Sequence, residues 1–174
     1  AGQYYDSGFF ENAIEYYKKS LEINPDFSFA YTYLGHAYYY LNEIDKAIES
    51  YKRTIDINEK TGEYGNLGWC FILQGEFTQA IQACEKAVKY NPYAVSHRFN
   101  LAHAYLLKGD STNAKEIYRK ALSLLESKEQ FKAITEDFLL FIKNGWRVEA
   151  CRKVWEWMQQ EIENIDHLYE EWQK

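Results

Sequence analysis

Between Tyr31 and Ile55 the apolar residues recur at intervals of three and four. Tyr31, Leu34, Tyr38 and Leu41 form one set, and after a break at Asn42 come Ile44, Ala47, Ile48, Tyr51 and Ile55. This spacing places each set along one face of a helix with about 3.6 residues per turn. Asn or Gly ends a helix readily, because each reaches the left-handed backbone conformation at little cost. The segment is therefore predicted to form two antiparallel helices joined by a short turn. No strand signal is present anywhere in the chain.

Sliding the sequence against itself by about 34 positions brings the same pattern back, the mark of a repeat architecture. A small residue recurs at Ala13, Ala47, Ala80, Ala114 and Ala150, with a turn residue before each at Gly8, Asn42, Gly75, Gly109 and Gly145. After each small residue come Tyr17, Tyr51, Cys84, Tyr118 and Val154 in the same register. Leu34-Gly35, Leu67-Gly68 and Leu101-Ala102 also align, and the small member of each pair lets neighbouring helices approach closely. A single helix pair cannot bury its own apolar face, whereas stacked pairs share a continuous core. The expected fold class is all-α, an α-solenoid of stacked antiparallel helix pairs.

Residues 30–58, 65–92 and 98–122 carry these features most completely and resemble the tetratricopeptide repeat. The resemblance implies a right-handed superhelix in which the first helix of each pair lines the concave surface. It also implies one domain over residues 1–174, with a partial repeat at 1–27 and full repeats at 28–60, 61–94 and 95–128. Residues 129–174 are expected to hold a degenerate repeat plus a long C-terminal capping helix. The opening segment matches only the end of a first helix and a whole second helix, so the chain is expected to be part of a longer one.

The last segment has its own pattern. Val148, Cys151, Trp155, Met158, Ile162, Ile165, Tyr169 and Trp172 follow intervals of three and four, which predicts one long helix burying Trp155, Ile162 and Tyr169. Two roles fit such a stripe: a cap over the last repeat, or a seam that pairs with a partner helix or a second copy.

Composition narrows the classes further. Hydrophobic residues make up 47% of the 174 and aromatics 18%, too many for a chain that stays disordered. With 20 Lys and Arg against 26 Asp and Glu the net charge is −6, which argues against nucleic acid as the partner. Residues 155–174 supply −5 of that charge, so the rest of the chain is close to neutral. No apolar run approaches the ~20 residues of a membrane span, so no membrane association is expected. Cys70, Cys84 and Cys151 are widely spaced and read as buried thiols, consistent with a cytoplasmic, intracellular setting.

Nothing in the chain suggests catalysis. There is no HExxH, GxSxG or phosphate-loop pattern, and Gly62, Gly65 and Gly68 lack the dinucleotide spacing and a preceding strand. His36, His97, His103 and His167 have no metal-ligand spacing. No cofactor, metal or catalytic residue is expected, and recognition is the better-supported role.

Aligning the repeats puts Phe29, Thr32, His36 and Tyr39 on the inner stripe of one unit. Gly62, Gly65, Trp69 and Ile72 fall on the next, and Ser96, Phe99, His103 and Leu106 on the third. Helical spacing shows that each set shares a face; that the face is concave is implied by the resemblance. Some of these aromatics could equally fill space between helices. Chaperone-binding relatives grip a C-terminal carboxylate with Lys, Arg and Asn, but Thr32, His36 and Gly65 occupy those places here, which argues against a carboxylate clamp. Other relatives hold an extended peptide with Asn side chains. Asn66 and Asn100 match that pattern, and Tyr33 breaks it.

The expected partner-binding residues are therefore Phe29, Thr32, His36, Tyr39, Gly65, Asn66, Trp69, Phe99, Asn100 and His103. Together they would form a shallow pocket with a bare glycine floor and aromatic walls. The function expected is binding of a peptide or helix from a protein partner. The alternatives are self-assembly, with the C-terminal helix forming a homo-oligomer, and an accessory role within a larger enzyme.

Overall fold

The computed structural model describes residues 7–125 and 128–172. Among them are nine helices and no strand: α1 (Ser7–Ile23), α2 (Ser28–Tyr40), α3 (Ile44–Ile57), α4 (Glu63–Leu73), α5 (Phe77–Tyr90), α6 (Val95–Lys108), α7 (Ser111–Leu122), α8 (Lys128–Lys143) and α9 (Val148–Trp172). The fold class is the all-α solenoid type expected from the repeats. The chain divides into two compact units, Ala1–Pro92 and Tyr93–Lys174.

In the first unit each helix packs on the next, from α1 through α5. Asn42 takes a φ of 60° between α2 and α3, the left-handed turn that its position in the repeat predicts. Gly8, expected to be a turn residue, lies inside α1. Gly35 is the point of close approach between α2 and α3. A Cβ there would stand 2.5 Å from Cε1 of Tyr51, so only glycine lets that ring lie flat against the helix. Cys84 packs against Gly68 in the same manner between α4 and α5. Burial pushes the Cys70 and Cys84 thiols up to about 12, as expected for inert core sulfur.

The second unit is built around an aromatic core. Phe99 from α6, Tyr118 from α7, and Phe138 and Phe141 from α8 are all fully buried around His103. Asp110 caps α7, its side chain accepting from the Asn113 amide.

α9 is the single long helix that its apolar spacing predicts. Among the described side chains its buried stripe consists of Cys151, Val154 and Met158, while Trp155 and Ile162, expected in the core, are only half-buried. The face turned to α7 and α8 is thus narrower than the stripe read from sequence. Trp155 meets Phe138 edge-on at its flank, with 5.8 Å between ring centroids. Trp157 lies on the opposite flank beneath Lys115 and Arg119 of α7. Tyr169, Ile165 and Trp172 lie outside the residues whose side chains are described.

Candidate functional site

The expected binding residues of the first unit form a connected ledge on α2 and α4. Thr32 and His36 fall one turn apart on α2; on α4 Trp69 holds the position equivalent to His36, and Asn66 the position equivalent to Tyr33. The two helices are joined by side chains. Trp69 Nε1 donates to the Tyr39 hydroxyl at 3.0 Å, and His36 Nε2 lies 3.8 Å from Glu63 Oε2, an ion pair when the ring is protonated. Asn66 Nδ2 donates to the same Glu63 oxygen at 2.7 Å. Thr32 sits 3.3 Å from Thr54 of α3, hydroxyl to hydroxyl, which fixes the lower end of the ledge.

Aromatic rings continue the ledge toward α1. Tyr33 stacks on Tyr17 with 5.2 Å between centroids and 7° between planes, and its ring centroid lies 6.2 Å from that of His36. Phe29 and Tyr33 are 64% and 50% exposed, enough to offer open ring surface to a ligand. Stacking on Tyr17 holds the Tyr33 ring in place without burying it fully. The surface is therefore preorganised, because its side chains are already held by one another.

The glycine floor is arranged differently from the expectation. Gly62 is exposed and stands at the N-cap position of α4, with nothing within 4 Å of a Cβ placed there. Gly65 is buried within the first turns of α4, so the open backbone lies at Gly62 and not at both glycines. Ile72 is fully buried.

In the second unit, Phe99 and His103 belong to the core, 1% and 0% exposed, and offer no surface to a partner. His103 is enclosed by polar as well as aromatic neighbours. Its Nδ1 lies 2.6 Å from the Tyr118 hydroxyl, and its Nε2 lies 3.2 Å from Asp137 Oδ2 on α8. Burial raises the Tyr118 phenol well above its ordinary value, so that hydroxyl stays protonated. The set ties α6, α7 and α8 together and is structural. Asn100 is half-buried on α6, one residue beyond Phe99.

Glu63 and Tyr33 were not among the residues expected to bind, yet they sit at the centre of the ledge. Glu63 is the one charged residue in the sequence of α4, and α2 has none. Among the described residues no group of His, Cys, Asp and Glu is placed to hold a metal ion. No helix among them is long and apolar enough to cross a membrane.

Successive helix pairs, close packing at small residues and a side-chain ledge on the first helices define a helical-repeat protein-interaction scaffold. The chain belongs to the tetratricopeptide repeat family. Residues 28–60 and 63–93 match the tetratricopeptide repeat, residues 98–127 match a second form of it, and residues 3–39 match the related TPR repeat. Two solved structures of MamA are similar. One is 31% identical with a TM-score of 0.64, covering 72% of this chain and 69% of that one. The other is 26% identical with a TM-score of 0.67, covering 90% and 92%. The BBSome complex member BBS4 of Bos taurus is 31% identical over 114 residues, 65% of this chain. That match spans only 20% of the bovine protein.

Proposed function

We propose that the chain is a recognition module whose α2–α4 ledge binds a peptide segment of a partner protein. The observation that supports this most is the half-open Tyr33 ring beside His36 of the linked His36–Glu63–Asn66 set, with Phe29 exposed one turn earlier on α2. Apolar contact to the rings would supply binding energy. Asn66, which spends one amide proton on Glu63, retains a carbonyl that no described residue meets and can accept from a peptide N–H. Preorganised anchors of this kind commonly carry most of the energy of an interface. The module needs no catalytic group for this role, and the ligand is held in an extended or helical form against α2 and α4.

Selection from a display library of random peptides tests the reading. The intact chain should recover a consensus, and the Phe29→Ser/Tyr33→Ser variant should lose it while melting within a few degrees of the parent. Both side chains are exposed enough that their loss removes little packing. A library that yields no consensus, or a consensus indifferent to these substitutions, would remove the ledge from consideration.

Helix pairing is a second reading, favoured by one feature of α1. Phe9, Tyr16 and Ile23 are exposed and recur every seven residues, which places them along one side of the helix. Sedimentation over a range of concentrations should then show association that Tyr16→Glu abolishes. A monomer at all concentrations would dismiss it.

A further inference from the structure

The ledge has an unusual charge pattern. α2 contains no Asp, Glu, Lys or Arg, and α4 contains a single charged residue, Glu63. The two helices therefore present one carboxylate set among aromatic rings. That carboxylate is largely enclosed, its side chain 14% exposed, where electrostatic interactions are less screened than on an open surface. Asn66 and His36 both approach Oε2, and no described residue bonds Oε1. No Lys or Arg among the described residues lies within ion-pair distance of it. Next to His36 the Tyr33 ring stacks on Tyr17 and leaves half its surface open.

A carboxylate oxygen with no Lys or Arg partner, separated from the half-open Tyr33 ring only by His36, suits an ammonium or guanidinium group. Such a group can donate a charge-assisted hydrogen bond to the carboxylate. Its alkyl stem, or the cation itself, can also lie over an aromatic ring. An acidic segment would meet repulsion from Glu63 and would find no basic residue on either helix. We infer that the ledge selects peptide segments in which Lys or Arg stands next to an apolar residue, the cation meeting Glu63 and the apolar neighbour lying on the Phe29 and Tyr33 rings. This rests on the peptide-binding reading of the ledge and adds the chemistry of the ligand to it.

The probe is the same random-peptide library, with the recovered pool read for composition and the affinity of its best member measured at moderate salt. Lys or Arg should be enriched at one fixed position of the consensus. Changing that residue to Gln in the peptide should weaken binding by about tenfold, the scale of one hydrogen bond to a charged group. Glu63→Gln in the chain should cost a similar factor, and the two changes together little more than either alone. Glutamine can still accept from Asn66, and the change in the peptide reads the same contact without touching the fold. A consensus that is acidic or uncharged overturns the cation preference and leaves the ledge reading standing. So does an affinity for a basic peptide that Glu63→Gln does not alter. A pool with no consensus removes the ledge reading itself.

Discussion

Truncating Phe138 to alanine is expected to cost the second unit about 3–5 kcal/mol, the range for a large aromatic removed from a packed core. The ring is 1% exposed and stands where α6, α7, α8 and α9 converge. Its centroid lies 5.2 Å from that of His103, 5.9 Å from Tyr118, 6.0 Å from Phe141 and 5.8 Å from Trp155. Removing it leaves a cavity beside a buried polar set that depends on tight packing to hold its geometry. The His103–Asp137 and His103–Tyr118 contacts should loosen with it, so the loss exceeds the transfer energy of the ring alone. Phe138→Leu keeps most of the volume and should cost under about 1.5 kcal/mol. Amide exchange in α6 and α8 under native conditions measures both changes within this unit. A loss below about 1 kcal/mol for the alanine variant would mean that α8 is held by other contacts.

Much of the helical organisation was legible in the sequence. Four turn residues, Asn42, Gly75, Gly109 and Gly145, have the positive φ that their place in the repeat predicts. Gly35 and Gly68 mark close helix contacts because the aligned positions demand small residues. The long final helix runs over Val148–Trp172, the bounds its apolar spacing implies. Which flank of a helix faces the core was harder to read. Spacing identifies an apolar stripe, but a rotation of about a quarter-turn decides whether Trp155 or Val154 is enclosed. Only the neighbouring helices settle that. Phe99 and His103 show the same limit. His103 aligns with His36 and Trp69, which are half-buried on the ledge, yet in the second unit Phe138, Phe141 and Asp137 stand against it and the site is fully enclosed. The ledge was half legible: Phe29, His36, Tyr39, Asn66 and Trp69 follow from register. Glu63 was hidden because a lone acid at a helix start ordinarily reads as a favourable partner of the helix dipole.

Gly35→Ala should destabilise the first unit by about 1–3 kcal/mol, although alanine is the better helix former by about 1 kcal/mol. The added methyl would lie 2.5, 2.7 and 2.9 Å from three ring carbons of Tyr51, all closer than real contacts allow. Tyr51 cannot swing away, since it is 2% exposed and stands edge-on to His36 with 5.7 Å between centroids. The cost is steric, so it should vanish when the ring is shortened. In a Tyr51→Leu background the Gly35→Ala step should become neutral or favourable, and a double-mutant cycle isolates that coupling. Gly62→Ala supplies the contrast. Its φ of −68° suits any residue and the space around it is open, so the same chemical change should move stability by no more than about 0.5 kcal/mol. Denaturant titration of the parent and the four variants decides the matter. Equal effects at Gly35 and Gly62, or a penalty at Gly35 that persists without the tyrosine ring, would place its cause in the helix backbone and not in the contact between α2 and α3.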